Sequence, residues 1–239
     1  MDISSAANVY LRQLGEARPR ITELNSNIFT KGGPAPKSLV EISGKRKSGK
    51  TFLLMQIIAN CLINCDVILI NISHKIDYQI FGKLVQDAVK NTNPNATGVQ
   101  LQEICENCLN SLEIINCFSS QEVRMALKAL DNHILFDNER ISLVAIDGLC
   151  EFYWLDLPQN VRIRKYKYYM NILEEINKIC KRFYVCCIYT VDSSFLKNSY
   201  APCKAINIDH KLQLKCLANG KRILNDEEIV IDESGIKFK

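Results

Sequence analysis

Short apolar runs and segments of helical periodicity alternate along the first two thirds of the chain. The apolar runs are rich in β-branched residues, which is typical of strands buried on both faces of a parallel sheet. They lie at 39–43, 66–72, 113–118, 141–147 and 182–191. Between them apolar positions recur with helical spacing, at 50–64, 78–90, 101–112, 120–135 and 165–182. This alternation predicts an α/β fold with a mostly parallel central sheet.

Beyond residue 203 the pattern becomes one of strands alone. Residues 206–225 alternate between apolar and polar and contain Asn219-Gly220, which is a strong signal for a hairpin turn. Residues 227–239 predict a second hairpin of the same kind. The chain should therefore end in antiparallel hairpins added to the parallel sheet.

The sequence pattern predicts that residues 1–37 form a leader and linker in front of a core at 38–239. Within the leader, Val9, Tyr10, Leu11 and Leu14 have the spacing of a short amphipathic helix. We expect this helix to pack either on a partner or on the core's own edge. The segment 31–38, KGGPAPKS, is rich in Gly and Pro, which block regular structure.

Composition narrows the class of protein without deciding its function. The 239 residues carry 30 Lys and Arg against 26 Asp and Glu, a net charge of +4 that permits nucleic-acid contact without demanding it. Many of the 11 cysteines lie inside apolar runs, which favours buried thiols in a reducing compartment over disulfides. Cys105 and Cys108 form a single CxxC without a second pair, so two thiols on a helix are favoured over a zinc site. No signal peptide or membrane span is predicted.

The segment GKRKSGKT is a complete phosphate-binding loop between a predicted strand and a predicted buried helix. Its two glycines let the backbone turn tightly, and the lysine before the threonine would reach the β- and γ-phosphates. The threonine hydroxyl would bind Mg²⁺. We predict that the whole loop holds the phosphates, that is, Gly44, Lys45, Arg46, Lys47, Ser48, Gly49, Lys50 and Thr51.

A second half of this site is predicted at the end of the strand 141–147. Asp147 closes that apolar run, and a carboxylate there would bind Mg²⁺ together with Thr51. The basic run 45–47 has two interpretations of equal weight. It is either a solvated loop crest or extra positive charge beside the phosphates or a partner's acidic edge.

Basic and aromatic residues interleave after the metal-binding strand. Such mixtures suit single-stranded nucleic acid, because cations contact phosphates and aromatic rings stack on bases. An amphipathic helix whose tyrosines pack on the core is the competing interpretation. The candidate DNA-binding residues are Arg162, Arg164 and Lys165, interleaved with Tyr166, Tyr168 and Tyr169.

Three stretches together resemble the RecA-like recombinase paralogue family: SGKRKSGKT (43–51), ISLVAIDGLCEFYWLD (141–156) and IDESGIKFK (231–239). The resemblance implies a RecA-type P-loop ATPase core without an N-terminal helical DNA-binding domain. It implies ATP and Mg²⁺ as cofactors, a nuclear location and assembly with other recombinase paralogues, first the D paralogue. Such a complex supports recombinase filaments on single-stranded DNA during homologous recombination.

Two positions depart from what the resemblance implies for catalysis. The family has a carboxylate after the second strand, where this chain has Ser73-His74, and a Gln sensor near the position of Val191. We therefore expect ATP to be bound but hydrolysed slowly or not at all. The alternative is a DNA-stimulated ATPase in which Asp77 or a partner's acid replaces the missing carboxylate. A small-molecule kinase would need an arginine-rich lid, which the sequence does not offer.

Overall fold

A computed structural model describes residues 3–21, 28–29, 33–157, 163–197 and 206–239, with the backbone alone at 3–8, 132 and 133. Its centre is a nine-stranded sheet in the order β3-β2-β4-β5-β1-β6-β7-β8-β9. The strands are Leu39–Gly44 (β1), Asp66–Asn71 (β2), Leu112–Asn116 (β3), Ile141–Asp147 (β4), Cys186–Asp192 (β5), His210–Cys216 (β6), Arg222–Leu224 (β7), Glu227–Asp232 (β8) and Gly235–Phe238 (β9).

Helices cover both faces of the parallel part of the sheet. They are Ile3–Ala17 (α1), Lys50–Cys61 (α2), Tyr78–Thr92 (α3), Gly98–Asn110 (α4), Ser120–Ala129 (α5), Leu135–Asp137 (α6) and Lys165–Phe183 (α7). One core lies between the sheet and α2, α3 and α4. The other lies between the sheet and α1, α5 and α7. β1 and β4 are buried along their whole length, which fits the mostly apolar sequence of β4, whereas β1 buries Glu41 and Ser43 among its apolar residues.

The α/β fold with a mostly parallel sheet and antiparallel C-terminal strands is confirmed. The order of the parallel strands places β1 between β5 and β6. One expectation needs correction, because β6 does not belong wholly to a hairpin. It pairs in parallel with β1, from Val40 opposite His210 to Gly44 opposite Leu214, and antiparallel only with β7. The predicted Asn219-Gly220 turn joins β6 to β7, with Gly220 at φ 81°.

The predicted helix over 120–135 is interrupted. α5 ends at Ala129. A π-helical turn, Leu130–Ile134, then connects it to the short α6. The N-cap of α5 is Ser119, whose hydroxyl accepts a hydrogen bond from the Glu122 amide. α4 begins at Gly98, three residues before the predicted start, behind a capping box formed by Thr97 and Gln100.

The leader helix α1 packs on the core's own surface, against α7. Leu11 and Leu14 are buried there, and Tyr10 stacks on Phe136 with ring centroids 6.5 Å apart. Just after the helix, the buried guanidinium of Arg18 donates hydrogen bonds to four backbone carbonyls, those of Leu135, Asn138, Ile141 and Phe183. This clamp joins the end of α1 to the ends of α6 and α7 and to β4.

Candidate phosphate-binding site

The carboxyl ends of four neighbouring parallel strands open into one cleft of about 800 Å³. These strands are β2, β4, β5 and β1, and the cleft is also lined by the start of α2 and the start of α7. Ligands of open α/β sheets bind outside the carboxyl ends of the strands, because the loops and helix N-termini gather there. The cleft is therefore where the predicted site residues should meet.

The loop Gly44–Thr51 connects β1 to α2 along one side of this cleft. A Cβ atom at Gly44 would lie 2.5 Å from the Leu214 carbonyl oxygen, so only glycine fits against β6. Gly49 precedes α2 with φ 102°, in the left-handed region that favours glycine. Both glycines are thus required by the shape of the loop, as the sequence predicted.

Lys50 folds back over the loop that precedes it. Its ammonium donates hydrogen bonds to the carbonyl oxygens of Gly44, at 2.9 Å, and Lys45, at 2.8 Å. Burial lowers the pKa of this ammonium, against the opposing charges of Asp192 and Asp147. The hydroxyl of Ser48 is buried beneath the loop and is without a hydrogen-bond partner. The loop thus holds a positive group and polar atoms at the start of a helix, an arrangement that suits an anion.

Asp147, fully buried at the end of β4, gathers hydroxyl groups from three different elements. Thr51 Oγ1 lies 3.0 Å from both of its carboxylate oxygens, and Thr190 Oγ1 lies 2.7 Å from Oδ1. Ser73 Oγ donates to Oδ2. The predicted metal pair Thr51 and Asp147 is therefore brought together by the fold. Their oxygens are hard donors of the type that Mg²⁺ takes alongside phosphate and water, so these residues fit the ion.

The positions expected to carry catalysis hold groups that are engaged elsewhere. The Ser73 hydroxyl is bonded to Asp147, and the His74 imidazole lies 2.9 Å from the Cys117 carbonyl oxygen and stacks on Phe118. Asp77 lines the cleft, but its Oδ1 accepts hydrogen bonds from two amides as the N-cap of α3. Val191 also lines the cleft and brings no polar group to it.

The structure describes two of the three predicted DNA-binding residues. Arg162 lies outside the described residues, and Arg164 is exposed at the N-cap position of α7. Lys165 lines the cleft, with its ammonium 3.2 Å from Ser194 Oγ. The tyrosines that follow pack inward, as the competing interpretation expected: Tyr169 is buried and Tyr168 donates to Asp156.

Several residues of the cleft were not found from the sequence. Thr190 accepts a hydrogen bond from the Gly148 amide at 2.7 Å and donates to Asp147, which links β5 to β4. Burial alone would raise the pKa of Asp192, but hydrogen bonds from Ser194 and the charges of Lys50 and Lys165 outweigh it and lower that pKa. Both are polar residues near the end of an apolar strand, but the sequence does not show that this strand lies between β1 and β4.

Elsewhere the described residues hold no cluster of three or more His, Cys, Asp and Glu side chains that could bind a metal ion. Cys105 and Cys108 are buried free thiols on α4. Burial is also the main reason that the pKa of each is raised. Among the described helices, none combines the length and apolar character needed to cross a bilayer.

No protein-family model matches the chain, and no curated protein matches it either. What the protein does must therefore be inferred from the site and from the motifs that the chain carries.

Proposed function

We propose that the chain is a RecA-type P-loop subunit that binds ATP with Mg²⁺ and hydrolyses it slowly or not at all. The strongest support is the meeting of Thr51, Ser73 and Asp147 at the strand ends. Thr51 and Asp147 form an oxygen pair suited to Mg²⁺, whereas Ser73 occupies the place where hydrolysis would need a carboxylate.

Each part of the loop has a role in holding the nucleotide. The amides from Gly44 to Thr51 would surround the phosphates, and the Lys50 ammonium would exchange its carbonyl partners for phosphate oxygens. Mg²⁺, when bound, neutralises negative charge on the terminal phosphates. Thr51 and Asp147 would hold the ion, and the three hydroxyl groups that already face Asp147 keep its carboxylate in place.

Hydrolysis needs a group that orients or activates the attacking water. The candidate groups in the cleft are poorly suited to this role. Ser73 is a weak base and donates its proton to Asp147, and Val191 cannot hydrogen-bond a terminal phosphate through its side chain. Glu151 lines the cleft as well, but it pairs with Lys75 at 2.6 Å. A nucleotide would therefore stay bound for longer than in a turning-over enzyme.

At the cellular level, we propose a nuclear subunit of a recombinase paralogue complex acting in homologous-recombination DNA repair. The motifs 43–51, 141–156 and 231–239 support this, and they resemble most closely those of X-ray repair cross-complementing protein two. The first partner would be the D paralogue, and single-stranded DNA would be contacted within the complex. The bound nucleotide would then help to hold a subunit interface together.

Nucleotide binding is tested by titrating Mg²⁺ and ATP into the purified full chain in a calorimeter, with phosphate release measured in parallel. We expect saturable binding and turnover near background. Lys50→Ala should weaken binding at least tenfold, because the ammonium that meets the phosphates is lost. Lys75→Ala is the matched control, because Lys75 lines the same cleft but is paired with Glu151. Absence of binding by the unmodified chain would refute the proposal.

The complex is tested by purifying the tagged chain from nuclei and identifying co-eluting proteins by mass spectrometry. Recovery of recombinase paralogues is the expected result. A soluble, folded chain that recovers none of them would overturn the assignment to recombinational repair while leaving nucleotide binding intact.

An active DNA-stimulated ATPase is the second candidate, since Asp77 lines the cleft within the turn after β2. This candidate requires phosphate release that rises with single-stranded DNA and falls to background in Asp77→Asn. Turnover that stays near background, with DNA and with the paralogues added, would exclude it.

A further inference from the structure

One of the lysines that line the cleft belongs to the helix that follows the strand ending in Asp147. Lys165 is the first residue of α7 and lies half-buried at the edge of the cleft. It belongs to a part of the sequence that suggested DNA contact, but the structure turns its ammonium toward the phosphate-binding site. The next lysine of the helix, Lys167, is exposed and does not line the cleft.

The ammonium of Lys165 is held by weak, replaceable contacts. It lies 3.2 Å from Ser194 Oγ, 4.9 Å from the ring centroid of Trp154 and 5.1 Å from that of Phe195. Cation–π contacts of this kind favour a cation without neutralising its charge. No described carboxylate forms an ion pair with Lys165, so the charge remains available to an anion in the cleft.

Asp192 connects this lysine electrostatically to the phosphate loop. Asp192, Lys50 and Lys165 all line the cleft, and the charges of both lysines contribute to lowering the pKa of the Asp192 carboxyl. Asp192 Oδ1 also accepts the amide of Ser194 at 2.9 Å, which fixes the turn that carries the Lys165 partner. Lys165 therefore lines the same cleft as the phosphate loop.

We propose that Lys165 recognises the terminal phosphate of a bound nucleoside triphosphate and moves from Ser194 onto it. This rests on the proposed nucleotide site and adds a group that distinguishes triphosphate from diphosphate. Val191 offers the terminal phosphate no hydrogen-bonding side chain where a Gln sensor was expected, and Lys165 supplies a cation from α7. A diphosphate lacks that anion, so Lys165 would stay with Ser194 and the rings.

Movement of the Lys165 ammonium would make the turn after β5 sensitive to which nucleotide is bound. When the ammonium leaves, Ser194 loses a partner and Trp154 and Phe195 lose a cation, so the 193–195 turn and the Trp154 ring change surroundings together. Trp154 is the single tryptophan of the chain, and it is 67% exposed at this place. Its fluorescence therefore reports the movement directly.

The test compares the affinities of the full chain for Mg²⁺ with ATP and for Mg²⁺ with ADP by calorimetry. In Lys165→Ala we expect ATP affinity to fall about tenfold, as a lost charged contact of about 1.4 kcal/mol would cause, and ADP affinity to stay within twofold. Lys167→Ala is the matched control and should change neither affinity. Lys165→Arg keeps the charge and should recover most of the preference for ATP.

Trp154 fluorescence supplies a readout that a purely structural role would not move. ATP should shift the emission of the unmodified chain, whereas ADP and the Lys165→Ala variant with ATP should leave it unshifted. Equal losses of ATP and ADP affinity in Lys165→Ala, or no loss of either, would overturn the role of Lys165 while the nucleotide site stands. Absence of any nucleotide binding by the unmodified chain would overturn both.

Discussion

Lys47 is the residue of the phosphate loop whose backbone is least suited to its side chain. Its φ of 64° lies in the left-handed region, which costs a non-glycine residue about 1–2 kcal/mol. Its side chain is exposed and has no ion-pair partner among the described residues. Because the penalty comes from the Cβ atom, glycine would adopt this backbone conformation at less cost than lysine.

Lys47→Gly should therefore raise the free energy of unfolding by up to about 1 kcal/mol, since relief of strain exceeds the added entropy of glycine in the unfolded chain. Chemical denaturation measures it. Arg46→Gly is the matched control, because Arg46 is exposed in the same loop without a positive φ, and it should lose roughly 0.5–1 kcal/mol. Equal shifts in the two variants would contradict the strain argument.

A buried carboxyl beneath the loop strand is the second residue-scale feature. Glu41, on β1, accepts a hydrogen bond from Tyr169 at 2.8 Å, and Tyr169 shares one with Tyr189 at 2.9 Å. Burial raises the pKa of Glu41 above its ordinary value of 4.5, against the hydrogen bond from Tyr169 and the charge of Lys211 on β6. The native state thus keeps this proton at a pH where the unfolded chain has lost it.

This retained proton makes stability fall as pH rises from about 4.5 through the folded pKa of Glu41, because the native state binds more protons there. Glu41→Gln removes the titrating carboxyl and with it this loss of stability. The difference in free energy of unfolding between the variant and the unmodified chain should therefore rise as pH increases from about 4.5 through the folded pKa of Glu41. Glu228→Gln should show the opposite sign below pH 4.5, since hydrogen bonds from Lys239 and Lys221 lower the pKa of Glu228. Chemical denaturation of the unmodified chain and of both variants, at a series of pH values from 3 to 8, measures these differences in the free energy of unfolding.

At the residue scale, the sequence predicted the groups whose type and spacing are set locally. Gly44, Lys50 and Thr51 follow one another in a loop of fixed shape, and Asp147 ends an apolar strand. Thr190 and Asp192 could not be assigned, because they matter only through the neighbours that β5 acquires in the sheet. The order of strands is a long-range property that a local pattern does not contain.

At the scale of elements, the Arg18 clamp explains why the leader helix belongs to the core. Arg18 is 5% exposed, and burial lowers the pKa of its guanidinium to about 10, which still leaves it charged at neutral pH. Its N–H groups donate hydrogen bonds to four backbone carbonyls in or next to α6, α7 and β4. Without the guanidinium these carbonyls would be buried with fewer partners.

Arg18→Ala should lower the free energy of unfolding by about 3 kcal/mol or more, since each buried acceptor left unpaired costs roughly 1–3 kcal/mol. Arg12→Ala removes an exposed arginine of α1 that forms an exposed ion pair with Glu16, and it should change stability by less than about 0.5 kcal/mol. Thermal and urea unfolding distinguish the two. A small effect of Arg18→Ala would mean that α1 is held by Leu11 and Leu14 alone.

The elements themselves were largely predictable, because strands buried on both faces and amphipathic helices have different periodicities. The three antiparallel strands β7, β8 and β9 follow from Asn219-Gly220 and from the alternation after residue 226. The parallel pairing of β6 with β1 was missed, because the Asn219-Gly220 turn predicts only the pairing of β6 with β7 and says nothing about the strand on its other side. The π-helical turn after α5 likewise has no signal in the spacing of apolar residues.

At the scale of the whole molecule, the phosphate loop occupies a central position. β1 pairs with β5 on one side and β6 on the other, so it joins the parallel strands to the antiparallel extension. α2, which starts at Lys50, contacts β1, β2, β4, β5 and β9. A ligand held between β1 and α2 should therefore stabilise the entire fold and not one end of it.

Because β1 and α2 contact both parts of the sheet, a bound nucleotide should raise the temperature at which the whole chain unfolds. Mg²⁺ with ATP at 100 times its dissociation constant should stabilise the chain by about 2.7 kcal/mol, which corresponds to roughly 5–10 °C in Tm for a protein of this size. The shift should grow with the logarithm of ATP concentration and unfolding should stay a single transition, because the loop contacts both parts of the sheet. Asp147→Asn should reduce the shift with Mg²⁺ more than without it, since the variant keeps the phosphate loop but loses the carboxylate. A shift that is identical with and without Mg²⁺ in the unmodified chain would mean that Asp147 and Thr51 hold each other and not the ion.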